Sequence, residues 1–365
     1  MRGEDQKTPL SFVMMDLESM VPSDHPLREI HALTEKALAG IQSDLEVLYS
    51  DVGRPSIPPE MLLRALLLQL LYSIRSERLL MEQMQYNMLF RWFVGLGPQD
   101  AVWNASTFSK NRQRFLDGEL AQRFLEETVR LAKKQSLLSD EHFSVDGTLI
   151  EAWASLKSLH PREEDSTRKP PDDPGNPSVD FRGEKRANDT HRSTTDAESR
   201  IVRKAKGKEA RLGYTGVVLM ENRNGLVVEA ELRIAEADPE REGIIGLLKK
   251  RQNGRKQRIT AGGDKWFDEA DFIHECRKLW VTPHVAVKEK AGSGLVDGRT
   301  LRHPGYIISQ RIRKRIEEVF GWLKEPGRLK RTKHRGVARA GWMYVFGLAI
   351  YNLIRMRNIA KYAMT

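Results

Sequence analysis

Hydrophobic and polar positions change rhythm once along this chain. Up to about residue 135, apolar residues recur at helical spacing. Pro26-Leu27 leads into an amphipathic stretch over 28–41. Ser56-Ile57-Pro58-Pro59-Glu60 reads as a helix start, with proline in the first turn and an acid near the positive end of the helix dipole. That helix is expected to run to about Ile74. A second start at Ser76 predicts a helix through Met88, and Ser106-Thr107 is expected to cap another carrying Lys110, Arg112, Arg114 and Phe115. From Glu141 the pattern shifts. Residues 142–150 are rich in strand formers. Segments 214–221 and 226–234 read as strands joined by Asn222-Arg223-Asn224-Gly225, a hairpin signal. Asp238-Pro239 opens a helix to about Arg251, and 257–261 is a short strand leading into Gly262-Gly263-Asp264. Asp268 is expected to cap a helix through Leu279; a strand over 282–287, a late helix, a basic linker and an apolar helix over 337–356 complete the chain.

The order from residue 141 is strand, long loop, two strands, helix, strand, helix, strand, helix. It predicts an α/β fold, a mixed sheet with helices on its faces, preceded by an all-helical N-terminal domain. The expected boundaries are 1–135 for the helical, DNA-binding domain, 136–335 for the α/β domain with a polar insertion at 156–212, and 336–365 for a C-terminal helix. The stretch from Pro161 to Arg200 holds Pro161, Pro170, Pro171, Pro174 and Pro177 and few large apolar side chains. It is expected to be a loop that cannot bury itself. Residues 201–212 carry Arg203, Lys204, Lys206, Lys208 and Arg211, a basic segment suited equally to DNA contact and to solvent.

Composition narrows the partners. The formal net charge of the 365 residues is +10, which favours a polyanion, nucleic acid first. From Arg311 to Arg335 there are ten Lys or Arg and three Glu, so the charge is clustered. The basic helix at Ser106 follows packed helices and resembles the recognition element of a helix-turn-helix. Cys276 is the only cysteine, which excludes an intrachain disulfide and a multi-cysteine zinc site, and a reducing cytoplasm is the natural compartment. The stretch Met1-Arg2-Gly3-Glu4-Asp5-Gln6-Lys7 carries acids and no apolar core, unlike a signal peptide. The apolar runs at 61–71 and 341–354 are too short to span a bilayer, so both are expected as buried helices and no membrane partner is expected.

The most telling stretch is Arg313-Lys314-Arg315-Ile316-Glu317-Glu318-Val319-Phe320-Gly321-Trp322-Leu323-Lys324. On one helix, Arg313, Glu317, Phe320 and Lys324 fall on one stripe, beside an apolar stripe of Ile312, Ile316, Val319 and Leu323. An acid between two cations, on a helix anchored along its flank, suits a divalent metal beside a phosphate. Helix phase, about 100° per residue, sets Glu318 off that stripe, where it is expected to pair with Lys314. Asp146 near a strand end, Asp264 just after another strand and Glu317 form a candidate set. Three carboxylates without clustered cysteine or histidine suit hard cations, Mg²⁺ or Mn²⁺, which would activate a water or sugar hydroxyl and stabilise the leaving oxygen of a phosphodiester. Each acid alone also fits a turn or a solvated face.

These residues resemble the transposases of bacterial insertion sequences, specifically the insertion-sequence-five family. The resemblance covers nearly the whole chain. It begins at Val21-Pro22-Ser23-Asp24-His25-Pro26-Leu27-Arg28, and continues through Gly53-Arg54-Pro55-Ser56-Ile57-Pro58-Pro59, Tyr72-Ser73-Ile74-Arg75-Ser76-Glu77-Arg78, Phe90-Arg91-Trp92-Phe93-Val94-Gly95-Leu96 and Ser106-Thr107-Phe108-Ser109-Lys110-Asn111-Arg112. The chemistry rests on Phe143-Ser144-Val145-Asp146-Gly147-Thr148, on Gly262-Gly263-Asp264-Lys265-Trp266-Phe267-Asp268, and on the late helix. There the family signature of Tyr, two residues, Arg, three residues, Glu, six residues, Lys falls on Gln310, Arg313, Glu317 and Lys324. Gln310 in place of Tyr, Trp266-Phe267 in place of a small residue and Tyr, and Val217 in place of His depart from the family pattern.

The resemblance implies a ribonuclease-H-like mixed sheet flanked by helices. It implies an Asp-Asp-Glu triad of Asp146, Asp264 and Glu317 as ligands of Mg²⁺ or Mn²⁺, with Arg313 and Lys324 positioning phosphate. The implied partner is double-stranded DNA, both terminal inverted repeats and target, bound by a homo-oligomer associated with the bacterial nucleoid in the cytoplasm. Two alternatives stay open: a catalytically decayed copy that only binds DNA, and a ribonuclease-H-like nuclease that only hydrolyses.

Overall fold

The computed structural model describes residues 16–50, 52, 53, 55–162, 180, 181, 184–203, 209–288 and 295–363. The stretch from Met1 to Lys7, Arg54, the prolines Pro170, Pro171, Pro174 and Pro177, and the cations Lys204, Lys206 and Lys208 lie outside the described residues.

The first part of the chain is helical: α1 (Leu17–Met20), α2 (Pro26–Gly40), α3 (Gln42–Val47), α4 (Pro59–Leu71), α5 (Glu77–Tyr86), α6 (Met88–Val94), α7 (Ser106–Asp117) and α8 (Leu120–Lys134). Proline opens α2 and α4, where a missing N–H costs no helix bond. The helix expected through Met88 stops earlier. Asn87 leaves helical geometry, and its side chain accepts from Phe90 N at 3.2 Å to cap α6. Ser106 and Thr107 do not cap α7; they lie inside it, and Asn104 Oδ1 accepts from Ser106 N at 3.0 Å. On α7, Arg112 pairs with Glu77, Arg114 lies 5.0 Å from the ring centre of Tyr49, and Phe115 is buried against Trp342. Lys110 is exposed.

The strands are β1 (His142–Glu151), β2 (Leu159–Pro161), β3 (Asp180–Phe181), β4 (Glu184–Lys185), β5 (His191–Ser193), β6 (Arg200–Arg203), β7 (Ala210–Glu221), β8 (Val227–Ile234), β9 (Ile259–Gly263) and β10 (Val281–Val285). Six form one sheet in the order β10-β9-β1-β7-β6, with β8 also paired to β7; β2 pairs with β5, and β3 with β4, in two small ladders. β9 runs parallel to β1 and to β10, while β7 is antiparallel to β1, β6 and β8. The β7–β8 turn holds Gly225 at φ +72°, a conformation that favours glycine. The remaining helices are α9 (Pro239–Gln252), α10 (Ala270–Lys278), α11 (Gly298–Arg302), α12 (Pro304–Ile312), α13 (Ile316–Lys324) and α14 (Val337–Ala363).

Side chains alternate across the sheet, and each face has its own core. Phe143 and Val145 of β1, with Val217 and Leu219 of β7, pack on Ile244, Leu247 and Leu248 of α9 and on Phe272, Ile273 and Cys276 of α10. Ile150, Tyr214, Val218 and Met220 face the other way, into a core shared with α13, α14 and the N-terminal helices. The helical region and the sheet are therefore joined by one continuous apolar core. α14 is longer than expected and, by length and composition, could cross a membrane; 67% of its most apolar window is buried inside the protein. Within it Asn352 accepts from Val227 N at 2.9 Å and donates to Val227 O at 2.7 Å, which pairs backbone groups at the start of β8.

Two further expectations are corrected. The end of the polar insertion does bury itself: Ser193, Asp196 and Ser199 are buried, Asp196 Oδ2 accepts from Tyr214 Oη at 2.7 Å, and β6 joins the sheet. Local polarity concealed this because the partners of Asp196 lie on β7 and at Gly336, just before α14. Asp268 does not cap α10. It is buried and accepts from Lys288 N at 3.0 Å and Leu295 N at 3.2 Å.

Candidate active site

β1 and β9 bring the two aspartates together. In the parallel register Ser144 lies opposite Gly262, so two residues further along each chain stand Asp146 and Asp264. β9 ends at Gly263, and from Asp146 to Ile150 no strand among the described residues pairs with that edge of β1. Asp264 Oδ1 accepts from Trp266 N at 2.8 Å and opens a 3₁₀ turn over Lys265–Phe267. Asp146 Oδ1 accepts from Gly147 N at 2.8 Å.

Glu317 stands in the first turn of α13, with Ile316, Val319, Phe320 and Leu323 of that helix buried. The apolar flank expected from spacing is present, but the helix is not continuous from Arg313. A 3₁₀ turn over Arg313–Arg315 separates α12 from α13, and Phe320, expected on the stripe of Glu317, joins the core instead. Glu318 does not pair with Lys314 as expected; its nearest cation is Arg355 of α14, at 4.0 Å.

The charges of Asp264, Glu317 and Arg313 all reach Asp146. The Asp146 carboxyl is pushed up to about 6, first by burial and then by the charges of Asp264 and Glu317; the Gly147 amide and the Arg313 guanidinium oppose the rise. Arg313 is itself held: its Nε donates to Gln310 Oε1 at 2.9 Å, and Gln310 Nε2 donates to the carbonyl of His284 at the end of β10. Gln310 thus ties the guanidinium to the sheet. Lys324 lies two turns beyond Glu317, roughly 10 Å along the helix axis. It lines a cleft of about 490 Å³ with Leu149, Glu151, Arg211 and Lys330. The basic linker is less free than its composition implies, because Glu151 N donates to Lys330 O at 3.0 Å and Thr332 N donates to Glu151 O at 2.8 Å, extending the sheet.

Sequence reasoning missed one acid. Glu240, in the first turn of α9, is half-buried, and its carboxyl is pushed up to about 7 by burial and then by Asp146 and Asp264. Its only signal in the sequence is an acid after Asp238-Pro239, which any helix start can carry. Of the departures, Val217 is a buried core residue against Gly243, Phe267 is buried, and Trp266 is exposed beside Asp264.

Among the described residues no three His, Cys, Asp or Glu side chains already stand in a metal-holding arrangement. The donor chemistry nevertheless fits a hard divalent cation. Asp264 at the end of β9 and Glu317 on α13 both repel the Asp146 carboxyl, whose burial makes that repulsion costly, and a cation would offset it.

A mixed sheet that sets Asp146 and Asp264 at neighbouring strand positions is compatible with a metal-dependent phosphodiester enzyme. Residues 137–353 match the family described as the transposase DDE domain, and residues 15–114 match the transposase domain DUF772. The chain belongs to the transposase DDE family. It is a DNA transposase, an enzyme that cleaves and transfers DNA strands with a divalent metal. No curated protein matches the chain. Among solved structures it is similar to the piggyBac transposase synaptic complex with hairpin DNA, at 10% identity and a TM-score of 0.43, over 92% of this chain and 76% of that one. It is also similar to a pre-cleavage Mos1 transpososome, at 14% identity and a TM-score of 0.20, over 85% of this chain and 82% of that one.

Proposed function

We propose that the chain is an insertion-sequence-five transposase with a ribonuclease-H-like catalytic core, which cuts DNA at the ends of its own insertion sequence and joins the freed ends to target DNA. Asp146, Asp264 and Glu317 hold Mg²⁺ or Mn²⁺. When bound, the metal supplies Lewis acidity at the attacking and leaving oxygens of the phosphodiester. Arg313, fixed by Gln310, and Lys324, farther along the same helical segment, position the phosphates of the strand being cut. The helical region 1–135, the catalytic region 136–335 and the helix 336–365 work as a homo-oligomer on the element's inverted repeats, in the bacterial cytoplasm at the nucleoid.

One observation carries this reading: the charges of Asp264, Glu317 and Arg313 all act on the Asp146 carboxyl, although they come from distant parts of the chain. A strand-transfer assay on DNA carrying the element's ends, with Mg²⁺, tests it. Joined products are expected. Nicked products that never join would make the chain a hydrolysis-only nuclease, and DNA binding with no cleavage would make it a decayed copy.

A further inference from the structure

Gly147 leaves a gap in β1 that a side chain from the other face of the sheet fills. A Cβ built on Gly147 would lie 2.1 Å from Glu240 Oε1. Alternation along β1 turns position 147 toward the α9 face, the same side as Phe143 and Val145, while Asp146 turns toward the face of α13 and α14. The carboxylate of Glu240 therefore rests on the backbone of the residue next to Asp146. Because β9 ends at Gly263, no strand among the described residues screens this edge of β1. The first turn of α9 is fastened here. Arg241 Nε donates to Trp266 O at 3.1 Å, and the Arg241 guanidinium lies 4.8 Å from the centre of the Trp266 ring, so α9 is tied to the turn that Asp264 opens.

A helix N-terminus favours an acid in its first turn by about 0.3–1 kcal/mol. That accounts for a glutamate at this position but not for its place beside two other acids, where like charges repel. The close seat on glycine, the fastened helix and the open strand edge give the arrangement a purpose.

We propose that Glu240 is a fourth carboxylate of the metal-binding centre, reaching the Asp146–Asp264 pair from the opposite face of the sheet across Gly147. The inference rests on the reading of Asp146, Asp264 and Glu317 as the metal-binding triad. Hard divalent cations take six or more oxygen ligands, so a fourth carboxylate, direct or through water, adds both charge and a fixed acceptor. Glu317 and Glu240 then close the centre from the two faces of the sheet.

The test measures Mn²⁺ alone on the full chain, by electron paramagnetic resonance titration and by the Mn²⁺-induced rise in Tm, with no DNA present. Glu240→Gln is expected to weaken Mn²⁺ roughly 10–100-fold. It is also expected to raise the Tm of the metal-free protein, because a repelling charge is gone, and to shrink the Mn²⁺-induced rise. Gly147→Ala, whose backbone is ordinary extended strand, displaces the Glu240 carboxylate without removing it and is expected to weaken Mn²⁺ as well. It keeps the test open should Glu240→Gln fold poorly. Wild-type Mn²⁺ affinity in both variants, alongside its loss in Asp146→Asn, would overturn the role of Glu240 and leave the triad standing. Wild-type affinity in Asp146→Asn as well would overturn the triad, and the inference with it.

Discussion

Gln310 Oε1 accepts from Arg313 Nε over 2.9 Å, and the amide of the same side chain donates to the carbonyl of His284. One side chain thus ties the end of β10 to the guanidinium that opposes the rise of the Asp146 pKa. Gln310→Ala is expected to slow strand cleavage roughly 10- to 100-fold through loss of positioning, with DNA affinity nearly unchanged. Single-turnover cleavage and filter binding would check this. Equal losses in both would mean that Gln310 only holds the fold.

The adjacent glutamates face different partners. Glu317 acts on Asp146, whereas Glu318 lies near Arg355 and acts on Tyr351. Glu317→Gln, like Asp146→Asn and Asp264→Asn, is expected to abolish cleavage in Mg²⁺ and leave DNA binding largely intact. Glu318→Gln is expected to keep most of the activity. The reverse pattern in a cleavage assay would exclude Glu317 from the site.

Arg328 and Lys330 are exposed on the linker that pairs beside Glu151 at the end of β1. Taking one cation away from a DNA phosphate shallows the log–log salt dependence of binding by about 0.9. Replacing Arg328, Lys330 and Arg331 together with Ala is therefore expected to weaken binding and reduce the slope by about 2 to 3. Arg331 Nε also donates to Ala152 O at 3.2 Å, so its replacement should lower Tm as well. An unchanged salt slope would assign all three to solvent.

His334 gives a pH dependence of stability. Burial, then Arg112, Lys333 and Arg339, lowers its pKa to about 4 from the ordinary value of 6.5. Between those values the unfolded chain binds a proton that the folded chain refuses, so stability falls as pH drops from 6.5 toward 4. The full effect is at most about 3 kcal/mol. His334→Gln is expected to flatten this part of the pH profile, read by urea denaturation at several pH values. An unaltered profile would show that His334 titrates normally in the folded protein.

The packed end of the insertion depends on the hydrogen bond from Tyr214 Oη to Asp196 Oδ2, at 2.7 Å and buried. Tyr214→Phe leaves that carboxylate oxygen short of a donor and is expected to cost about 1–3 kcal/mol. Chemical denaturation would measure the loss, and a change under about 0.5 kcal/mol, the range of an ordinary surface substitution, would mean that the pair contributes little.

Local pattern alone determined the change from a helical to an α/β region, the helix starts at Pro26 and Pro59, the hairpin at Asn224-Gly225, and the placement of Asp146 and Asp264 on or just past strands. Each follows from spacing or backbone preference within a few residues. The tertiary structure decided the rest. Residues 193–199 look unburied because their partners, Tyr214 and the backbone of Gly336, lie far away in sequence. Asp268 looks like a helix cap until its bonds to Lys288 and Leu295 are seen. The break at Arg313–Arg315 cannot be read from side-chain periodicity, because a 3₁₀ turn changes residue phase without changing residue type. Glu240 is the clearest case. Its sequence marks only the start of a helix, and its place beside Asp146 follows from the packing of α9 on the sheet and from the missing Cβ of Gly147, which no local pattern encodes.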